Sequence, residues 1–164
     1  AAPQRLQDLL SATPTAFSLD VGTTPRYYVS ATKRNLNRAS KLALYFATEK
    51  DRQAAYLLLN SSLPYWWWRC LDGGVTLNRA TLLSLPIPPA LDEVPHDVCS
   101  EYVLELEESE HTDLRVKLNA GRPNENVRRP RELSKRLDAL LLPDVDFDFT
   151  PCYLPDLMVQ TDGS

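Results

Sequence analysis

At 164 residues the chain has the length of one domain, or of one domain with an appendage, and it is long enough to bury a real core. Hydrophobic residues make up an ordinary 43%, and no run approaches the ~18–20 uninterrupted apolar residues of a membrane span. The formal charge of −4 is unevenly spread: residues 21–91 hold nine Lys/Arg against three Asp/Glu (+6), and residues 92–164 hold eight against seventeen (−9).

The acidic side chains gather in Asp92–Asp113 and Asp138–Asp162. Arg128, Arg129, Arg131, Lys135 and Arg136 form a second basic cluster between them. Such a distribution reads either as two solvated faces of opposite sign or as a basic surface for a polyanion with the acidic parts held away from it. Cys70, Cys99 and Cys152 are far apart and form no Cys-x-x-Cys pair. That argues against a disulfide framework or zinc knuckle and fits a reducing cytoplasm. The start, Ala-Ala-Pro-Gln, lacks the basic-then-apolar order of a signal peptide and reads as a cut inside a longer chain.

In chain order, Leu6, Leu9 and Leu10 mark a short helix or ordered arm. Arg26–Ala31, rich in Tyr and Val, reads as a strand. Lys41–Ala47 reads as another, with Leu42, Leu44 and Phe46 on one face. The polar segment 32–40 between them is then the exposed tip of a hairpin if the two strands pair. Asp51–Asn60 has helical spacing through Ala54, Leu57 and Leu58, broadened by Tyr56 and Leu59. Asn60-Ser61-Ser62 interrupts it, and Pro64 suits the first turn of a second helix running to Leu71 and ended by Gly73-Gly74. Asn78 is an N-cap for a short helix Arg79–Leu85, which Pro86, Pro88 and Pro89 stop.

Residues 95–110 carry Val98, Tyr102 and Leu106 at helical spacing. Tyr102, Leu104 and Leu106 also alternate, so a strand competes, and the helix is favoured. Asp113–Leu118 fits either state, and Asn119–Val127 reads as a turn-rich loop. Pro130 opens a last amphipathic helix with Leu133, Leu137, Leu140 and Leu141 facing inward. From Pro143 on, the chain reads as an acidic tail. The expected fold class is α/β in the broad sense, more narrowly α+β: a small mixed or antiparallel sheet packed with several helices. Residues 1–91 would form the core and residues 92–164 an acidic helical extension packed on it.

Catalytic signatures are missing. The five glycines make no Gly-x-Gly-x-x-Gly or phosphate loop. Pro88-Pro89 is flanked by Ile87 and Ala90, so the Asp/Asn-Pro-Pro-Tyr/Phe motif of amino methyltransferases is absent. No lysine has the Asp/Glu-x-Lys spacing of many metal-dependent nucleases. His96 and His111 stand in acidic surroundings without metal-ligand spacing. The expectation is a chain that is not an enzyme on its own.

The order Leu58-Leu59-Asn60-Ser61-Ser62, an aromatic block ending in Arg69, Asp72-Gly73-Gly74, Leu77-Asn78, then Leu85-Pro86-Ile87-Pro88 resembles the target-recognition domain of TaqI-like N6-adenine DNA methyltransferases and type IIG restriction–modification enzymes. It covers roughly residues 26–89. The Leu-Asn-Ser-Ser and Leu-Pro-Ile-Pro pieces are specific only as a pair. The resemblance implies a reader of double-stranded DNA with no cofactor in this chain. The S-adenosylmethionine-dependent catalytic domain would then lie elsewhere in the same polypeptide or in a partner.

A DNA reader needs cations for phosphates and amides or guanidinium groups for base edges. Lys33, Arg34, Asn35, Asn37, Arg38 and Lys41 offer both, against the alternative of a solvated basic tip. Asn78 and Arg79 sit at a helix start that favours phosphate, with a plain N-cap as the competing role for Asn78. Arg69 is an interior ion-pair partner or a phosphate contact. Arg128, Arg129 and Arg131 flank a helix N-terminus, where cations oppose the dipole and an external anion would compensate; Glu125 and Glu132 are the internal alternatives. Trp66, Trp67 and Trp68 span about 200° of helix surface at ~100° per residue, so they cannot all face one ligand, and one or two are expected in the core. The competing function is a protein–protein docking module that touches no DNA.

Overall fold

A computed structural model describes residues 2–145. Two small antiparallel sheets and five helices make an α+β fold. The first sheet has the order β2-β1-β3, with β1 at Phe17–Gly22, β2 at Ala31–Thr32 and β3 at Lys41–Phe46. Phe17, Leu19 and Val21 of β1 alternate with period 2, and this strand pairs with β3 along its whole length. The strand expected at Arg26–Ala31 shrinks to β2, and β2 and β3 flank β1 rather than pairing with each other. Segment 32–40 is therefore a crossing connection and not a hairpin tip.

Helix α1 (Glu49–Leu59) starts where the Thr48 side chain accepts a hydrogen bond from Asp51 N. It buries Ala55 to Leu59 against the sheet. Helix α2 (Leu63–Leu71) has Pro64 in its first turn and ends at the extended residue Asp72, so Gly73 and Gly74 follow its end without left-handed backbone. Trp68 is fully buried, and Trp66 and Trp67 pack at the core margin. Asn78 caps α3 (Arg79–Leu83) by accepting from Thr81 N at 2.8 Å. The Leu-Pro-Ile-Pro segment pairs with the N-terminal arm: Leu6 N donates to Leu85 O and Ile87 N donates to Gln4 O, both at 2.9 Å. Pro86 interrupts nothing, because the pairing uses only its neighbours on either side.

Helix α4 (His96–Thr112) confirms the helical choice for that segment. After it, β4 (Leu114–Asn119) settles the open segment 113–118 as strand, and β5 (Arg122–Val127) pairs with it in a two-stranded ribbon where 119–127 was expected to be a loop. Its tip is the two-residue turn Ala120-Gly121, with φ of 51° and 78°, as a tight hairpin connection requires. Helix α5 (Arg131–Leu141) then buries Leu133, Leu137 and Leu141. One apolar cluster joins Leu19, Leu44 and Trp68 to Val103, Leu106 and Leu137, so the described acidic half shares the core of the basic half. The expected acidic tail and Cys152 fall largely or wholly outside the described residues.

A buried polar junction ties these elements together. Asn60 Oδ1 accepts from Ala31 N at 3.0 Å and from Arg129 Nη2 at 2.8 Å. Its amide donates to Ala31 O and Tyr56 O. Ser134 Oγ donates to Asn60 O, and Ser62 N donates to Asp138 Oδ1. Arg129 also reaches Ser109 and Ser30. Nearby, the Tyr56 hydroxyl donates to Glu110, whose carboxylate also accepts the backbone N–H groups of Lys33 and Arg34 at 2.9 Å each.

Burial, then the adjacent Glu110 charge, push the Tyr56 hydroxyl well above its ordinary pKa. Unfolded tyrosine ionises near pH 10, whereas folded Tyr56 stays neutral there. Its contribution to stability is thus fully present below about pH 10 and is lost as pH rises further. Tyr56→Phe should cost ~1.5–3 kcal/mol at neutral pH, the range for a hydrogen bond to a charged group. Urea unfolding of both proteins should show the gap narrowing above about pH 10; a gap that stayed constant or widened would refute this assignment.

Candidate nucleic-acid interface

The basic connection between β2 and β3 is largely neutralised by carboxylates. Lys33 Nζ lies 2.6 Å from Glu107 and 3.5 Å from Glu49. Lys41 Nζ lies 2.8 Å from buried Asp20, which also accepts Leu36 N. Arg34 Nη2 stands 3.8 Å from Glu125, whose side chain also accepts Asn37 N. Asn35 and Asn37 have exposed side chains, but the cations beside them are committed. The expected free basic loop is therefore corrected. Helix α4 is not held away from it: Glu107 and Glu110 are its counter-charges, because the acidic helix folds directly onto the basic segment.

Arg129 is also corrected as a DNA contact. It is only 3% exposed, and its guanidinium is spent on Asn60, Ser109, Ser30 and Ala31 O. Burial lowers its pKa, and the Tyr56 and Glu110 groups pull the other way. Arg69 is exposed and stacks 4.0 Å over the Trp68 ring while donating to Gly74 O, so the interior ion-pair role is excluded. Asn78 is a helix cap, and Arg79 is exposed on a helix of only five residues. None of these three borders the cleft described next.

The ribbon carries the feature that the sequence concealed. Cross-strand partners share a face, and three successive pairs on one face are Arg115 with Asn126, Lys117 with Asn124, and Asn119 with Arg122. Every member is a cation or an amide. The other face pairs Leu114 with Val127, Val116 with Glu125 and Leu118 with Pro123. Glu125 docks the ribbon on the crossing connection: its N–H donates to Asn37 O at 3.0 Å, and its own O accepts from Arg38 Nη1.

Between the polar face and the segment that follows β1 lies a cleft of about 630 Å³. The ribbon wall contributes Arg115, Lys117, Asn119, Asn124 and Asn126. The opposite wall contributes Arg26, Tyr27 and Tyr28, and Arg38 and Arg128 complete the lining charge. No Asp or Glu lines it among the described residues. Arg26, Lys117 and Arg128 have no ion pair among those residues either. Arg38 lies across Gly22, where a Cβ would stand 2.8 Å from its Nη1, and it donates to Thr24 Oγ1. Burial lowers the Arg38 pKa against the raising influence of Tyr28. Two predicted contacts, Arg38 and Arg128, thus reach one concave cationic site. The period-2 pattern of β4 was the available signal for Arg115, Lys117 and Asn119.

Among the described residues there is no cluster of His, Cys, Asp and Glu suited to a metal ion, and no helix long and apolar enough to cross a membrane. Comparison with protein-family models, curated proteins and solved structures finds no match.

Glu125 is the test of how the ribbon is held. Glu125→Ala should cost ~1 kcal/mol, the size of a typical hydrogen bond, and speed amide exchange across 122–127 while the core helices stay protected. Unchanged exchange in the ribbon would show that its docking does not depend on this carboxylate.

Proposed function

We propose that this chain is a DNA sequence-recognition domain which binds duplex DNA and positions a methyltransferase catalytic domain located elsewhere, as in restriction–modification enzymes. The observation that carries the reading is the ribbon face formed by Arg115, Lys117, Asn119, Arg122, Asn124 and Asn126. A two-stranded ribbon fits the major groove of B-DNA, which is ~12 Å wide. On that face the guanidinium groups match guanine O6 and N7, the amides match adenine N6 and N7, and the cations neutralise phosphates. Cations without carboxylate partners are the ones that release counter-ions on binding; Lys33 and Lys41 are already paired. In this reading S-adenosylmethionine belongs to the catalytic domain and not to this chain.

One observation favours the second reading, a docking module without DNA contact. Val116 and Leu118, on the opposite side of the ribbon, are 58% and 72% exposed. Exposed apolar patches mark partner surfaces. The two roles use different faces, so DNA binding decides between them.

Binding of the purified chain to a randomised pool of duplex DNA, followed by sequencing of bound molecules, tests the proposal. The expected result is enrichment of a short motif with affinity that falls as salt rises. The double variant R115A/K117A should reduce the salt slope by about two, one per lost phosphate contact, whereas Lys33→Ala should leave it unchanged. Wild-type affinity and slope in the double variant would remove the ribbon from the proposal.

A further inference from the structure

We infer that the cleft between the ribbon and the 22–28 segment is a site for one or two unpaired nucleotides of a DNA strand. This rests on the DNA-recognition reading and deepens it. The cleft, at about 630 Å³, lies within the ~300–1,000 Å³ range of sites that enclose a small ligand. A nucleotide fits such a volume.

The lining supplies each contact that an unpaired nucleotide requires. Lys117 and Arg26 bring cations for the phosphate from opposite walls. Tyr27 brings aromatic surface, on which any base can stack. Asn124 and Asn126 present amide donors and acceptors to the edge of a base that has left its partner. The aromatic wall is fixed in place: the Tyr65 hydroxyl donates to Arg26 O at 2.5 Å, and Asn126 Nδ2 donates to the Tyr28 hydroxyl at 3.4 Å. A paired base still shows its groove edge to the amides, but its faces are stacked and its pairing edge is engaged, so it leaves the Tyr27 ring unused. The Tyr27 ring in a concave site is therefore what separates it from a simple phosphate clamp.

Fluorescence anisotropy on the purified full chain tests the site with a duplex of about 20 base pairs, and with the same duplex carrying a gap of about two nucleotides. The gapped form should bind about fivefold or more tightly, and Tyr27→Ala should bring the ratio back toward one. Tyr27→Phe, which keeps the ring, should keep the ratio and guards against a folding defect in the alanine variant, whereas Arg26→Ala, at an exposed position, should weaken both duplexes alike, with circular dichroism as the control. Equal affinity for the two duplexes would overturn this site while leaving duplex recognition standing. Absence of binding to either at low salt would overturn both. Displacement of the gapped duplex by free deoxyadenosine monophosphate at equal concentration would overturn the assignment to a strand in favour of a free nucleotide.

Discussion

The side chain of Asn60 holds the architecture at one point. Buried polar groups cost heavily unless they are satisfied, and this amide is used on both ends. It grips both the N–H and the carbonyl of Ala31 in β2, the carbonyl of Tyr56 in α1, and the guanidinium of Arg129 just before α5. Ser61 closes the corner by donating to Leu58 O, and Ser62 N meets Asp138 of α5. The Asn60-Ser61-Ser62 segment is thus a junction between elements. It builds the fold that displays a surface; it is not the surface. Ribbon, connection and helix α4 are all placed by what attaches to this junction.

Electrostatics along the chain and electrostatics in space differ for one reason. Among the described residues, the acidic half folds onto the basic half. Helix α4 returns Glu107 and Glu110 to the Lys33–Arg34 turn, and Glu125 reaches the same connection from β5. Among the described residues, positive charge without a carboxylate partner remains on both halves, Arg26 on the first and Lys117 and Arg128 on the second, and Arg115, Lys117, Arg122 and Arg128 stand on or beside a ribbon whose only acid, Glu125, points at the connection. A net-negative chain can present a cationic groove in this way, because local field and not net charge governs approach of a polyanion.

Most helices were legible because punctuation or spacing marks them. Pro64, Asn78 and Pro130 mark starts, and the leucines of α1 and α5 keep helical spacing. Two strands were hidden by local chemistry. In β1, Asp20 sits among apolar neighbours and is buried only because Lys41 and Leu36 N satisfy it, a long-range arrangement that a local pattern does not reveal. In β5, Arg-Pro-Asn-Glu-Asn-Val has the composition of a loop. Pro123 is tolerated because each strand of a two-stranded ribbon has a free edge, and Ala120 replaces the Asn that usually announces such a turn. The connection 33–41 was correctly seen as basic and wrongly seen as free, since three of its counter-charges, Glu107, Glu110 and Glu125, lie roughly seventy to ninety residues away in sequence. The candidate site was legible only in part, through Arg38 and Arg128.

Under the proposed DNA-recognition role, the ribbon and not the 33–41 connection is the surface that meets DNA. Amide hydrogen exchange of the chain with and without saturating duplex DNA locates that surface directly. The account predicts slowed exchange in 114–128 and in 24–28, with the 33–41 connection unchanged. Protection confined to 33–41, with the ribbon exchanging as it does in the free protein, would contradict it.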